Sequence, residues 1–398
     1  MTIVQLNMTA TGSTGRIMLQ LAWVAEKHGD TCYTFSPADN DFSVDSPRHD
    51  FWGGKTSSFL HWGFGVIFGA NGLCSYFATR KLLKKIRAIS PDILHLHNLH
   101  KFCINFPLLF RYIKKHNVKV IWTLHDCWTF TGHCPHFDYV DCPKWKTGCH
   151  HCPLYKDYPK SMVDNSKLMW KLKKKWFCGV KDLTIVTPSQ WLASLVKESF
   201  LKDYSVKVIH NGTDLSVFRP CEQNFRKKQG IPENSFVLLG VAFDWGHRKG
   251  LDVFVELAKQ LDKRFQIVLV GTNELIDKQL PPEIISIHRT QNQQELCEIY
   301  SAADILVNPT REDTFPTVNL EALACGTPVL TFRTGGSPEI IDETCGCVVE
   351  KEDVAGMLRE IKRIYQEKPY SPADCIKRSQ KFDMTQRFEE YVRLYHGE

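Results

Sequence analysis

Short apolar runs alternate with amphipathic stretches along almost the whole chain. Most of these runs are rich in valine, isoleucine and leucine, end at a polar or glycine residue, and precede a helical pattern such as GLDVFVELAKQLDK (250–263). Alternation of this kind predicts parallel β-sheets covered by helices on both faces. The predicted strands are 2–7, 31–35, 92–97, 118–124 and 183–189 in the first half, and 206–212, 236–243, 265–271, 285–289, 304–310 and 329–336 in the second.

The predicted strands form two series that join near residues 203–216. A chain of 398 residues is also too long for one ordinary hydrophobic core. The expected fold class is therefore α/β, with two Rossmann-like, doubly wound parallel-sheet domains. We place the N-terminal domain at 1–205 and the C-terminal domain at 206–381. The segment 382–398 has apolar residues at near-helical spacing and is expected to form a terminal helix.

The composition is that of a globular protein, with 43% hydrophobic and 24% charged residues. No run reaches the ~20 apolar residues that a membrane span needs, and the start MTIVQLN lacks the basic leader of a signal peptide. Fifteen cysteines, most of them scattered through predicted helices and strands, suit a reducing cytosol. The net charge of +6 is mild and points to no dedicated nucleic-acid surface. We expect a cytoplasmic protein.

Ligands of doubly wound sheets bind beyond the carboxyl ends of the strands, so the turns there are the places to search. After the first strand, Gly12 and Gly15 allow a tight turn and a close backbone approach at a helix N-terminus, which suits a phosphate or a sugar. The spacing is not GxGxxG, which argues against a dinucleotide, and a glycine turn without a ligand is the alternative. After strand 118–124, His125 and Asp126 either contact a ligand or form a structural hydrogen bond.

The second half carries charged residues at comparable turns. Arg248 and Lys249 lie just before a predicted helix, where two cations and a helix N-terminus favour a diphosphate; a solvated basic cap is the alternative. Asp313 precedes a predicted helix over 315–325, and Glu321 lies within its first two turns. Ionised carboxylates accept hydrogen bonds from sugar and ribose hydroxyls, although Asp313 taken alone is equally typical of a helix cap.

Three of these turns belong to a set of five motifs that follow one another along the chain. The motifs are TLHD (123–126), VIHNGTDLSVF (208–218), HRKG (247–250), DTFPTVNLEALACGTPV (313–329) and TGGSPEII (334–341). Together they resemble the retaining family 4 glycosyltransferases of the GT-B fold, and the resemblance runs almost end to end. It is strongest to the enzymes that build bacterial exopolysaccharide, capsule or O-antigen. The family signature has two glutamates separated by seven residues; here Asp313 occupies the first position and Glu321 the second.

The resemblance implies a hexosyl transfer with retained anomeric configuration, from a nucleoside-diphosphate sugar to a glycan or polyprenyl-linked acceptor. It implies two domains that face a cleft, with the terminal helix crossing back to the N-terminal, acceptor-side domain. Glu321 would hold the ribose hydroxyls of the donor. Asp313 would face the donor sugar or the reacting centre, and His125 would reach the sugar from the opposite domain.

The remaining donor contacts follow from the same resemblance. Positive charge would stabilise the leaving diphosphate in place of a catalytic metal, since no DxD-like motif occurs in these turns. Backbone N–H groups around the start of the signature helix would lie near the sugar and the diphosphate. The expected catalytic residues are His125 and Asp313, and the expected donor-binding residues are Gly12, Gly15, Arg248, Lys249, Phe315, Pro316, Thr317 and Glu321.

The sequence departs from the family pattern at two positions. Family members usually carry Gly-Arg at the end of the strand written here as FVLLGVAF (236–243), and that arginine is missing, so Arg248 would bear more of the phosphate charge. Asp313 is one methylene shorter than the usual glutamate, which indicates a different donor sugar or a shifted contact. A sugar phosphorylase or hydrolase of the same fold is the nearer alternative function, and a zinc-stabilised nucleic-acid-binding protein is the more distant one.

A cysteine-rich insertion over 127–153 is a separate feature of the N-terminal half. Its spacing is C-x7-C-x6-C-x2-C, with histidines interspersed, and four cysteines so close together indicate a structural zinc site. Free thiols, a disulfide and an iron–sulfur cluster are the competing interpretations. A zinc ion with four protein ligands has no open position and would not be catalytic. The candidate ligands are Cys134, Cys142, Cys149 and Cys152.

Two further patterns have both a functional and a structural interpretation. The stretch 56–87 combines a basic helix with Phe59, Trp62, Phe64, Ile67, Phe68, Tyr76 and Phe77. This combination suits peripheral contact with the inner face of a membrane that carries a lipid-linked acceptor; a core helix with a solvated basic face is the alternative. His95 and His97 alternate along one strand, which is compatible with metal binding, but we interpret them as a packed strand end.

Overall fold

The computed structural model describes residues 1–37, 44, 46–100, 102–222 and 224–398. Within these residues the chain divides into two units, one made of Met1–Ile209 with Phe388–Glu398, the other of His210–Arg387. No helix in the described ranges has the length and apolar character that crossing a membrane requires.

The first unit contains one parallel seven-stranded sheet with strand order β3-β2-β1-β4-β5-β6-β7. The order reverses between β1 and β4, as doubly wound folds require. The elements are β1 (Thr2–Leu6), α1 (Gly12–Lys27), β2 (Thr31–Pro37), β3 (His49–Trp52), α2 (Lys55–Phe68), α3 (Tyr76–Ile89), β4 (Ile93–Leu96), α4 (Phe106–His116), β5 (Lys119–Thr123), α5 (Ser166–Phe177), β6 (Leu183–Thr187), α6 (Gln190–Glu198) and β7 (Ser205–Val208).

The second unit repeats this plan with a six-stranded parallel sheet of order β10-β9-β8-β11-β12-β13. Here the order reverses between β8 and β11. The elements are α7 (Phe225–Lys228), β8 (Phe236–Val241), α8 (Leu251–Gln260), β9 (Phe265–Val270), α9 (Glu274–Asp277), β10 (Ile285–Ile287), α10 (Gln293–Ala302), β11 (Ile305–Asn308), α11 (Thr317–Ala324), β12 (Val329–Phe332), α12 (Ser337–Ile340), β13 (Gly346–Val349), α13 (Val354–Glu367), α14 (Pro372–Ser379) and α15 (Met384–His396).

Burial of both sheet faces explains why the strands read as continuous apolar runs. In β8, Val237 and Leu239 pack into one core cluster, whereas Leu238 between them packs into another. Successive side chains of a strand point to opposite faces, so the two clusters lie on opposite faces of the second sheet. The α/β prediction, with two doubly wound parallel sheets, is therefore confirmed.

The strand predicted at 206–212 differs from the observed one. We expected this run to open the second domain, but β7 ends at Val208 and pairs with β6 as the last strand of the first sheet. Pairing here satisfies the backbone N–H and C=O groups of β6, which would otherwise form an open sheet edge. The second unit begins two residues later, at His210.

The last helix, α15, contributes its final turns to the core of the first unit. Tyr395 is fully buried there, and its hydroxyl lies 2.6 Å from Nδ1 of His95 on β4. Nε2 of His95 lies 2.8 Å from the Thr123 hydroxyl at the end of β5. His95 and His97 are both buried, which confirms that they form a packed strand end.

Candidate active site

Two neighbouring loops at the carboxyl edge of the second sheet bring a cation and an acid together. The loop after β8 carries Lys249 and the loop after β11 carries Asp313; these strands are adjacent where the strand order reverses. Nζ of Lys249 donates a hydrogen bond to Oδ2 of Asp313 at 2.6 Å. Both side chains remain partly exposed, so a ligand at this edge of the sheet can reach either of them.

Hydrogen bonds to backbone carbonyls hold these two loops against each other. The Arg311 N–H donates to the Arg248 carbonyl at 2.8 Å, and Nη1 of Arg248 donates to the Glu312 carbonyl at 3.2 Å. Below them, the buried guanidinium of Arg311 donates two hydrogen bonds of 2.8 Å to the carboxylate of Asp252 on α8. A two-point bond of this kind restricts orientation as well as distance, so Arg311 holds the loops in register.

Glu321 lies on α11, almost completely buried, with its carboxylate in a defined position. The hydroxyl of Tyr300 on α10 donates to Oε2 of Glu321 at 2.9 Å. Burial raises the pKa of Tyr300 well above its usual value, and the negative charge of Glu321 acts in the same direction. Tyr300 therefore stays protonated and acts as a donor to one carboxylate oxygen.

The start of α11 presents backbone groups rather than side chains. Phe315 is buried and stacks on His210 at a ring-centroid distance of 4.9 Å, and its N–H donates to Oδ1 of Asp313 at 3.2 Å. Pro316 is the N-cap of α11 and offers no side-chain hydrogen bond. Thr317 is the first helical residue, so helix geometry gives its N–H no acceptor within the helix.

The first unit places the predicted glycine turn at the carboxyl end of β1. Gly12 has φ +70°, a conformation that favours glycine. A Cβ on Gly15 would lie 2.4 Å from the carbonyl carbon of Ala10, so only glycine lets the turn close on the start of α1. The Met8 N–H donates to the Asn98 carbonyl at 2.7 Å, which joins this turn to the loop after β4.

His125 follows β5 and forms part of a row of polar side chains across three strands. Its Nε2 lies 3.2 Å from Nδ1 of His97, whose Nε2 lies 3.0 Å from Oε1 of Gln5 on β1. The two imidazole rings stack with 5.4 Å between centroids. Burial lowers the pKa of His125 to about 4, although the neighbouring Asp126 acts in the opposite direction. At neutral pH His125 is an uncharged imidazole of fixed orientation.

The carboxylate of Asp126 accepts hydrogen bonds from groups of its own domain. Its Oδ2 accepts hydrogen bonds of 2.8 Å from Asn98 and from the ring of His100, and its Oδ1 accepts the Trp128 N–H at 2.9 Å. Burial alone would raise the pKa of this carboxyl, but His100 and the N–H donor lower it to about 2. Asp126 therefore anchors the loop that carries His125.

The cysteine-rich insertion forms three short 3-10 turns between β5 and α5, and its four candidate ligands all line one small cavity. The Gly132 N–H donates to Sγ of Cys149 at 3.1 Å. Beside the cavity the fully buried Lys173 donates to the carbonyls of Trp128 and Thr131 at 2.7 and 3.0 Å. Among the described residues, however, no three His, Cys, Asp or Glu side chains stand where they could together hold a metal ion.

Three residues of this arrangement were not anticipated from the sequence. Tyr300 looks like an ordinary aromatic residue of an amphipathic helix, and its contact with Glu321 spans 21 positions. Arg311 lies two residues before Asp313 of the signature, which was its only local signal. His97 was visible in HLHNLH (95–100), but its place between Gln5 and His125 depends on the order β1-β4-β5 in the sheet.

Comparison with protein families assigns the chain. The profile of Glycosyltransferase Family 4 matches residues 14–217, and that of Glycosyl transferases group 1 matches residues 233–367. The first match alone spans half of the chain. The protein belongs to glycosyltransferase family 4 and has the GT-B fold.

Similar proteins agree with this assignment. The chain is 26% identical over 323 residues to a protein named as the colanic acid biosynthesis glycosyl transferase WcaC of Escherichia coli (strain K12), covering 78% of each chain. Two solved structures share the fold across the whole chain. Sucrose-phosphate synthase from Thermosynechococcus elongatus aligns with a TM-score of 0.72 at 18% identity, over 100% of this chain and 98% of its own. Anabaena Alr3699/HepE in complex with UDP-glucose aligns with a TM-score of 0.70 at 14% identity, over 100% of both chains.

Proposed function

We propose that this glycosyltransferase moves a hexose from a nucleoside-diphosphate sugar to a glycan or polyprenyl-linked acceptor, with retention of the anomeric configuration, in the synthesis of a bacterial surface polysaccharide. The observation that carries the proposal is the meeting of Lys249 and Asp313 on adjacent strand ends, beside the start of α11. Similarity to WcaC supports a polysaccharide pathway, and the HepE complex supports a nucleotide-sugar donor.

Departure of the donor diphosphate requires stabilisation of negative charge. When the bond between the anomeric carbon and the diphosphate breaks, the leaving oxygen gains negative charge. Arg248, Lys249 and the N–H groups at the start of α11 would stabilise that charge without a catalytic metal ion. Glu321, held by Tyr300, would accept hydrogen bonds from the ribose hydroxyls.

The sugar itself would contact the acids and imidazoles of the strand ends. Asp313 would face the transferred sugar, and His125, uncharged at neutral pH, would hydrogen-bond to one of its hydroxyls. The acceptor oxygen would attack the anomeric carbon on the face from which the diphosphate leaves, and its proton would pass to the departing phosphate oxygen. The Gly12–Gly15 turn would let the donor phosphates or sugar approach the backbone closely.

We also propose a structural zinc ion in the cysteine-rich insertion. The four thiols border one cavity, and thiolates are the form that binds zinc. Burial raises the pKa of Cys149 to about 12, whereas the Gly132 N–H and Lys173 act in the opposite direction. Because no three ligands stand together now, binding would require these thiols to draw closer around the cavity.

A donor screen followed by product analysis tests the proposed reaction. Nucleoside diphosphates and their sugars are screened by thermal shift, since a ligand that binds only the folded state raises the melting temperature. The best donor is then incubated with lipid-linked and free glycan acceptors in EDTA, and the anomeric proton of the early product is read by NMR. We expect transfer without added metal and with retention. Inversion would overturn the retaining mechanism, and a requirement for Mg²⁺ or Mn²⁺ would overturn the metal-independent one. Turnover with inorganic phosphate as the co-substrate would indicate a phosphorylase instead of a transferase.

A further inference from the structure

Helix α2 is apolar on the side that faces away from the protein. Of its fourteen residues only His61 and Gly65 are buried, whereas Phe59 and Leu60 are about two-thirds exposed. A surface helix normally turns its apolar residues inward, and α2 does the reverse. The packing of the first unit therefore does not account for this set of side chains.

The exposed residues of α2 continue onto two neighbouring segments, and we call the whole surface the apolar face. Of the sixteen large apolar side chains that are exposed in the described parts of the chain, nine belong to it. Exposed apolar surface gathered in this way marks a binding surface more often than single exposed residues do. The apolar face consists of Phe59, Leu60, Trp62, Ile67, Phe68, Tyr76, Phe77, Met162 and Val163.

Specific hydrogen bonds hold the apolar face in this form. The Gly72 N–H donates to Nε2 of His61 at 3.0 Å, and Nδ1 of His61 lies 2.8 Å from the Ser75 hydroxyl that precedes α3. The Met162 N–H donates to the Val66 carbonyl at 2.7 Å, which ties the third segment to α2. The exposed side chains therefore stand on an anchored helix, and α2 and α3 border a groove of about 840 Å³ lined by Leu60, Tyr76 and Phe77 among others.

The charges on α2 and α3, which carry seven of the nine residues of the apolar face, all have one sign. Residues 51–91 contain six lysines and arginines and no aspartate or glutamate. This segment alone carries a charge of +6, which equals the net charge of the whole chain. Lys81, Lys84 and Arg87 are exposed on α3 next to Tyr76 and Phe77.

We propose that the apolar face docks on the surface of an anionic lipid bilayer, with its aromatic and aliphatic side chains in the headgroup–acyl boundary and the cations of α3 on lipid phosphates. Apolar insertion combined with basic residues is the pattern of interfacial membrane helices. A second copy of the chain fits the same surface poorly, because two +6 segments would repel each other. The docking does not depend on the proposed reaction and is measured without substrate.

Vesicle co-sedimentation of the full chain tests the proposal. We expect binding to vesicles of phosphatidylglycerol and phosphatidylcholine at 0.1 M salt, and little binding to phosphatidylcholine alone or at high salt. Phe59→Ser with Phe77→Ser should lower the partition coefficient at least tenfold. The matched control Trp23→Ser, an exposed aromatic outside the face, should leave it unchanged.

Charge variants of α3 separate the electrostatic attraction to lipid phosphates from the insertion of apolar side chains. Lys81→Glu with Lys84→Glu should weaken binding by roughly 25-fold or more, since each of the two basic residues contributes about fivefold near an anionic surface. Lys171→Glu on α5 is the control. Circular dichroism spectra and melting temperatures, measured on every variant, confirm a native fold. Failure of the wild type to bind anionic vesicles, equal loss in the controls, or a dimer that the Phe59→Ser, Phe77→Ser variant dissolves would overturn the proposal.

Discussion

Lys249 and Asp313, 64 positions apart in the chain, are joined by a 2.6 Å hydrogen bond between Nζ and Oδ2. Their loops follow β8 and β11, which are neighbours at the point where the strand order reverses. In the absence of substrate the acid holds the ammonium in place. A donor diphosphate would offer the same ammonium a second anionic partner, so each residue has a separable role that substitution can measure.

Replacing Lys249 with methionine should weaken nucleoside-diphosphate binding. The change keeps the length of the side chain and removes its charge, and a hydrogen bond to a charged group contributes ~1.5–3 kcal/mol, roughly a tenfold or greater change in Kd. Titration calorimetry at two salt concentrations measures the affinity and its salt dependence. Lys259→Met, on the exposed side of α8, is the matched control, and equal affinities in the two variants would remove Lys249 from the site.

Replacing Asp313 with asparagine should lower turnover more than donor binding. The amide oxygen can still accept from Lys249, so the loops keep their contact, but the negative charge that we assign to the sugar or the reacting centre is lost. We expect kcat to fall at least ~tenfold, about 1.4 kcal/mol in the barrier, with donor Kd nearly constant. If Kd rises while kcat stays the same, Asp313 only positions Lys249.

Replacing Glu321 with glutamine should weaken donor binding by at least ~1.4 kcal/mol, roughly tenfold, because a charge-assisted pair with ribose is lost. The amide oxygen can still accept from Tyr300, so the helix packing survives. Measuring the affinities of both proteins for the nucleoside diphosphate and for its 2′-deoxy form tests whether Glu321 contacts the ribose hydroxyl. The substitution should cost much less with the deoxy nucleotide, and an equal loss with both would contradict a ribose contact.

Stability should fall on mild acidification because burial lowers the pKa of several histidines in the first unit. Unfolded histidine titrates near ~6.5, so below that pH the unfolded chain binds more protons than the folded chain. The stabilisation is complete above pH ~6.5 and is lost as pH falls toward the folded values. These values are about 4 for His61, His125 and His133 and about 3 for His95.

Melting temperatures between pH 7 and pH 5 measure this effect before most carboxylates titrate. We expect a steady decrease over that range. His116→Gln, at the exposed end of α4, should leave the slope unchanged. A melting temperature that is flat from pH 7 to pH 5 would contradict burial of neutral imidazoles.

The cysteine-rich insertion should carry about one zinc per chain after purification without chelators. Cys149→Ser should lower both the zinc content and the melting temperature, since metal binding and folding are coupled. Cys74→Ser, a cysteine outside the cavity, is the control. Absence of zinc after anaerobic purification, with every thiol titratable, would rule out the metal site.

Much of the fold follows from local patterns in the sequence. Alternation of short apolar runs with helical segments predicted two doubly wound sheets because strands buried on both faces must be apolar throughout. The turns with Gly12, Arg248 and Asp313 were found because parallel sheets present ligands at strand ends. The short edge strands β3 and β13 were missed, since an edge strand such as HDFW (49–52) needs no continuous apolar run.

What the sequence by itself determined is the one-dimensional pattern: the alternation of strands and helices, the glycine turns, and the motifs that identify the family. Only the tertiary structure decided which turns meet. The contacts of Lys249 with Asp313, of Tyr300 with Glu321, and of His97 with His125 join residues 21 to 64 positions apart. Their distances are set by strand order and helix packing, which depend on the whole chain. The exposure of α2 was also decided by the tertiary structure, because the sequence of an apolar helix does not show whether the helix is buried or exposed.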